Sequence, residues 1–196
     1  MKRLQRFSRV LLSAVLLSTG SLVIVGGGVA LADGPRVCRG TIGDREIERN
    51  IVVPAGKTCR LNGTDVDGSV TVRRNATLIA SDADIDGRVR SFGSNTTVVI
   101  QRDSEVDGPV VVTDGRRVIL RGSDIDDDVI VKRARLKVTI VNNDIEGKVE
   151  LRASRGGFHV ARNDIDGNLA CFGNGAPRSG SGNDVEGSKL GQCRSR

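Results

Sequence analysis

The 196-residue sequence has no tryptophan and no tyrosine, and it carries one histidine, one methionine, four prolines and four phenylalanines. Without Trp or Tyr it lacks the rings on which sugars and unpaired bases most often stack. Beyond residue 32 the aromatics are Phe92, Phe158 and Phe172. Nucleic-acid recognition combines a basic face with aromatic or motif support, so no nucleic-acid partner is expected. The lone histidine, His159, has no partner at metal-ligand or catalytic spacing. Between Phe158 and Val160 in an alternating run, it is expected to face outward. No Ser-His-Asp arrangement is legible. No catalytic residue is therefore assigned, and the chain is not read as an enzyme. Helical apolar stripes are also missing outside the first 32 residues, which excludes an α-helical domain.

Residues 1–32 read as a signal peptide. Lys2, Arg3, Arg6 and Arg9 precede an apolar run from Val10 to Ala32 that ends in Ala30-Leu31-Ala32, a small-x-small site. Cleavage is expected after Ala32. The competing reading is an uncleaved anchor, because the run is long enough to span a bilayer. Cys38 follows Pro35-Arg36-Val37, which is no lipobox. The leader holds four of the 30 basic residues and none of the 24 acids, which leaves a net charge of about +2 on the rest. With the leader removed, no membrane span remains, and a secreted or cell-surface location is expected.

A repeat organises the rest of the chain. The unit reads acid, Ile/Val, acid, usually Gly, any residue, then an alternating apolar pair. It begins at Glu46, Asp65, Asp84, Glu105, Asp124, Asp144, Asp164 and Asp184, at steps of 19 to 21 residues. Fixed periods of this length mark stacked-repeat architectures. Short β-branched alternations predict strands, two in each coil. One carries pairs such as Val66 and Val70, the other pairs such as Leu78 and Ala80. Equivalent side chains recur in one register, so the strands stack in parallel rather than as hairpins. The expected fold is all-β: a single-stranded parallel β-helix, or β-solenoid, of about eight coils, right-handed by default. Ile47, Val66, Ile85, Val106, Ile125, Ile145, Ile165 and Val185 should form one inner column. Residues 33–45 are expected to cap the amino-terminal end, 46–171 to form the coils, and 172–196 to form a loop and a closing coil.

Cys38 and Cys59 lie 21 residues apart, and Cys171 and Cys193 lie 22 apart. Each separation is close to one period. Adjacent strands are ~4.8 Å apart, near the lower part of the range a disulfide spans. Cys38–Cys59 and Cys171–Cys193 are the expected disulfides, one at each end of the stack. Each closed loop is worth roughly 3 kcal/mol in the chain-entropy model. Export and an even cysteine count agree with this.

The closing stretch Asn163-Asp164-Ile165-Asp166-Gly167-Asn168-Leu169-Ala170-Cys171, then a Gly-Pro-Ser-rich loop and Asn183-Asp184-Val185-Glu186-Gly187-Ser188-Lys189-Leu190-Gly191-Gln192-Cys193, resembles the carboxyl-terminal signature of small exported actinobacterial proteins with β-helical repeats. The close match covers about 30 residues, and it implies a β-helix but no particular activity. A looser similarity is to bactofilin-type, polymer-forming β-helices.

The most distinctive chemistry is an acid grid. The first and third unit positions are acidic in all eight copies and hold 16 of the 24 acids. Flanking an inward Ile or Val, both should point outward. Candidate cation ligands are Asp65, Asp67, Asp84, Asp86, Asp107, Asp124, Asp126, Asp144, Glu146, Asp164 and Asp166. Like charges one rung apart repel by ~0.9 kcal/mol in bulk water and more at a protein surface. Three things can offset this. Backbone N–H groups can donate to Asp in the turn; basic neighbours such as Arg88, Arg102, Arg121, Lys148 and Arg162 can pair with it; or Ca²⁺ can bind. The plainer reading is turn chemistry, since Asp and Glu exchange freely in both columns. No cofactor is then expected, with Ca²⁺ as the alternative.

A second set is basic: Arg73, Arg74, Arg116, Arg117, Lys132, Arg133, Arg135, Arg152 and Arg155. It comes after the first strand, at the next corner. It suits an anionic cell-envelope polymer or side-by-side self-association, or simply a solvated corner that keeps the rod soluble. Asn62-Gly63-Thr64, Asn75-Ala76-Thr77 and Asn95-Thr96-Thr97 are glycosylation sequons by pattern and read as turn residues. The expected function is an exported structural or interaction module without catalytic activity. The alternative is a calcium-dependent polysaccharide-binding or lyase-like protein that uses the acidic columns.

Overall fold

The computed structural model describes residues 34–196, and the expected leader lies outside them. The described residues form a β-solenoid whose ladders are all parallel. Each coil has three faces. The first stacks nine strands, from Arg36–Val37 through Val70–Arg73 and Val129–Lys132 to Lys189–Gly191, among the described residues. The second runs from Thr41–Ile42 through Thr77–Ser81 and Phe158–Ala161 to Arg178–Ser179. The third is built from the acid units, from Arg45–Ile47 and Thr64–Val66 to Asp184–Val185.

The sequence predicted two strands per coil, and there are three. Val66 and Val70 belong to different faces, separated by the turn at Gly68. That turn explains the recurrent glycine. A Cβ on Gly87 would lie 2.8 Å from the carbonyl carbon of Gly68, and one on Gly167 would lie 2.7 Å from the Lys148 nitrogen. The turns therefore nest coil on coil, and a side chain would push them apart.

The core is the set of inward columns. Ile47 pairs with Val66, Val66 with Ile85, Ile85 with Val106, and so on to Ile165 with Val185. All are buried except Val185 in the last coil, which is half-buried. Columns from the other faces, such as Val70, Val89, Val110 and Val129, complete an interior of branched aliphatics with Phe158 as its one large ring. No coil buries such a face alone, so each rung depends on its neighbours.

Two corners are left-handed. Between the first and second faces stand Asn75, Asn95, Asp114, Arg133 and Ala153, with φ between 52° and 63°. Between the second and third faces stand Gly63, Asp82, Gly122, Asn142 and Arg162, with φ between 53° and 60°. Left-handed backbone disfavours L-residues other than Asn and Asp, so Arg133, Ala153 and Arg162 hold costly positions. The coil from Asp84 bulges at the second of these corners. Arg102 and Asp103 are both left-handed, and the register shifts between Gln101 and Ser104.

Buried amides line the same corner. Asn143, Asn163 and Asn183 stack, each reaching a carbonyl of an earlier coil: Leu120, Ile140 and Val160, at 3.0–3.2 Å. At the other corner Ser154 donates its backbone N–H to Asn174, and Asn174 donates to Gln192. Gln192 returns a bond from its amide to the Asn174 carbonyl and so ties down the last turn. Disulfides Cys38–Cys59 and Cys171–Cys193 join neighbouring coils at the two ends, with Cα separations of 5.4 and 5.3 Å. Among the described residues no helix is long and apolar enough to cross a membrane.

Candidate functional site

Charge is sorted by the coil geometry. On the third face an inward Ile or Val holds its two flanking acids outward. Glu46, Asp65, Asp84, Glu105, Asp124, Asp144, Asp164 and Asp184 pair directly down the ladder. The second acids keep the same register: the N–H groups of Asp67, Asp86, Asp107, Asp126, Glu146, Asp166 and Glu186 donate to the inward residue of the preceding coil at 3.0–3.1 Å.

Two triads emerge. In Asp65, Asp67 and Asp86, and in Glu105, Asp107 and Asp126, one oxygen of each carboxylate lies within 4.8 Å of the others. Glu105 joins the second triad, although the sequence pointed to its Asp neighbours. Asp144, Glu146, Asp164 and Asp166 keep the register without closing into such a group among the described residues. Desolvation, then the fields of adjacent acids, raises the carboxyls of Asp86, Glu105, Asp107 and Asp124 above their ordinary values. A groove of about 900 Å³ adjoins the first triad, lined by Asp44, Asp65, Asp82, Asp84 and Asp103 with Arg102 among them. Calcium takes six to eight oxygens, so a triad supplies part of a shell and water must complete it.

Two of the basic residues expected to neutralise the columns, Lys148 and Arg162, have partners elsewhere. Lys148 bonds Asp128 at 2.7 Å, which holds that carboxyl low although burial alone would raise it. Arg162 donates to Asn142. These partners lie in the turn and at the left-handed corner, outside the two acid columns. Among the column acids, Asp86 gains the local turn bond, from its own backbone N–H.

The basic corner lies between the first and second faces. Arg73 and Arg152 stack on the exposed rings of Phe92 and Phe172, each 5.2 Å from the centroid. Arg133 grips Asp114 in a two-pronged bond of 2.7 and 2.9 Å, and this bond holds the Asp114 carboxyl below its ordinary value. Glu150 bonds Arg152 and lies 3.5 Å from Lys132. Burial would raise the Glu150 carboxyl, and these two cations hold it low. The Asp114 and Glu150 contacts were not legible in the sequence, because their partners stand almost a full coil away or on one strand's outer side. His159 faces outward, with Nδ1 3.0 Å from the Ser179 hydroxyl. Desolvation and nearby Lys137, Arg162 and Arg121 keep it below its ordinary value, and it touches neither charged face. No family model, curated protein or solved structure matches the chain.

Proposed function

We propose that the chain is an exported, non-catalytic rod that acts as an interaction scaffold at or beyond the cell surface. The observation that carries this is the sorting of charge: carboxylates run along one face and cations along the opposite corner of a stiff, doubly stapled solenoid. Such an object presents periodic charge and exposes little apolar surface. Disulfides fit an oxidising compartment, and both the leader and the closing signature's resemblance to small exported proteins favour export. An anionic envelope polymer is the partner that suits the basic corner. Co-sedimentation of purified protein with cell-envelope fractions tests the reading. Salt-sensitive binding with the polymer left at full length is expected; shortening of the polymer contradicts it.

A second reading has the two acid triads in its favour. In it the acidic face holds Ca²⁺ and the protein binds, or eliminates across, an acidic polysaccharide in a calcium-dependent way. Calorimetric titration of calcium into the EDTA-stripped protein separates the two. Saturable binding with a large rise in melting temperature favours the second reading, and its absence removes it.

A further inference from the structure

The basic corner contains a seat for a carboxylate. Asp114, Arg133, Ala153 and Gly173 succeed one another down this corner. The N–H of Asp114 donates to Lys132, that of Arg133 to Arg152, and that of Ala153 to Phe172, at 2.8–2.9 Å. All four have left-handed backbone. In the upper coil the side chain at this position is itself a carboxylate, which the Arg133 fork holds at 2.7 and 2.9 Å. One coil beyond Arg133, the position is Ala153. Alanine is a poor residue for left-handed backbone, where Gly, Asn or Asp is preferred. Its small side chain leaves the floor of the corner open.

Two recesses meet at Ala153. One, of about 310 Å³, is lined by Asp114, Arg133, Arg135 and Arg155. The other, of about 530 Å³, is lined by Lys132, Glu150 and Arg152. Arg135 and Arg155 stand on successive coils, and neither makes an ion pair among the described residues. Guanidinium forks match carboxylates two-pronged. Phe172 is partly exposed in register with Arg152, whose guanidinium lies over its ring. Coils repeat at ~4.8 Å, comparable to the rise of one sugar in an extended chain that bears a carboxylate on every residue. Duplex nucleic acid places a charge every ~1.7 Å and does not match. The acidic third face repels a polyanion, so the chain is confined to the corner and runs along the rod.

We infer that this corner binds a linear acidic polysaccharide, with carboxylates seated over Ala153 between Arg135 and Arg155, beside the Arg133–Asp114 pair. The inference rests on the reading of the protein as a binding scaffold and names its ligand class and site.

The test titrates polygalacturonate into the purified protein, with double-stranded DNA of matched charge as a second arm. The variants are Ala153→Asp, Ala153→Asn and the double Arg135→Gln/Arg155→Gln. Ala153→Asp places a tethered carboxylate in the seat, and both Asp and Asn suit the left-handed backbone, so both variants should melt at or above the parent. Ala153→Asp and the double variant are expected to weaken polygalacturonate binding at least tenfold, and Ala153→Asn, which fills the same space without the charge, to weaken it at least threefold less than Ala153→Asp. Equal binding by Ala153→Asp and Ala153→Asn overturns the site, and so does DNA binding as tight as that of polygalacturonate. Polymer length is measured in the same samples. Shortening would overturn the non-catalytic reading, while the variant pattern still judges the site.

Discussion

Asn163 donates both its backbone N–H and its side-chain amide to a single oxygen of Asn183 one coil away, at 3.1 and 2.8 Å. The same amide also reaches the Ile140 carbonyl at 3.0 Å, and the Asn163 oxygen in turn receives both donors of Asn143. This ladder bonds most of the buried polar groups where the sheet bonds are interrupted, the Asn143 side-chain oxygen excepted. Asn163→Ala removes the acceptor of two buried donors and the donor to a buried carbonyl. Each orphaned group costs about 1–3 kcal/mol. The Asn143 side-chain amide still reaches the Leu120 carbonyl, which leaves two such groups, so a loss of about 2–6 kcal/mol is expected in denaturant unfolding monitored by circular dichroism. A change below about 0.5 kcal/mol would mean that water replaces the ladder.

The stacked turns yield a second prediction. Gly167 approaches Gly147 and Lys148 too closely for a Cβ. Gly167→Ala is expected to cost about 1–3 kcal/mol, the usual range for an overpacked site. A helical or exposed glycine would show the opposite tendency, because replacing it restricts the unfolded chain.

The core column makes a third. Ile145 is fully buried between Ile125 and Ile165, so Ile145→Ala should lose about 2–5 kcal/mol. Selective reduction of Cys171–Cys193 should cost roughly 3 kcal/mol. It should also raise hydrogen exchange first in Lys189–Gly191, whose partner Leu169–Phe172 contains Cys171 of that disulfide.

Stability should depend on pH in an unusual direction. Asp86, Glu105, Asp107 and Asp124 have carboxyls raised in the fold, by desolvation first and by neighbouring acids second. A raised carboxyl takes up protons more readily folded than unfolded. Its stability contribution is complete below the unfolded value and is lost as pH rises through the folded one. Acidification from neutrality toward the ordinary values of 3.8 and 4.5 is therefore stabilising. Asp114, Asp128 and Glu150 are held low, and what they contribute is lost only as pH falls below those same ordinary values. His159, held below 6.5, opposes the trend as pH falls through its own range, and a His159→Gln background removes it. The melting temperature should peak near pH 4, with each kcal/mol recovered worth about 2–4 °C. A monotonic fall from pH 7 would show that the acid columns are already neutralised.

Much of this fold is legible because one period governs it. The column from Ile47 to Val185, the outward acids and both disulfides derive from residues that recur about 20 apart. What the period conceals is where a coil bends. Val66 and Val70 read as one strand, and only the close nesting of Gly68 and Gly87 reveals a corner between them. Left-handed Arg133, Ala153 and Arg162 carry no mark of their conformation, since an Arg or Ala there looks like any exposed residue. Asn143, Asn163 and Asn183 recur at 20 residues, yet their type alone suggests surface turns; burial turns them into a ladder. The triads depend on which neighbouring carboxylates converge, a matter of side-chain direction that a column of Asp and Glu does not specify.

The most direct measurement is calorimetry of polygalacturonate binding to the purified protein in EDTA and again in calcium. If the basic corner is the binding surface, affinity should persist in EDTA, fall with added salt, and leave the polymer intact. Binding that requires calcium would move the function to the Asp65–Asp67–Asp86 and Glu105–Asp107–Asp126 triads and contradict the assignment to the corner of Arg133, Arg135 and Arg155.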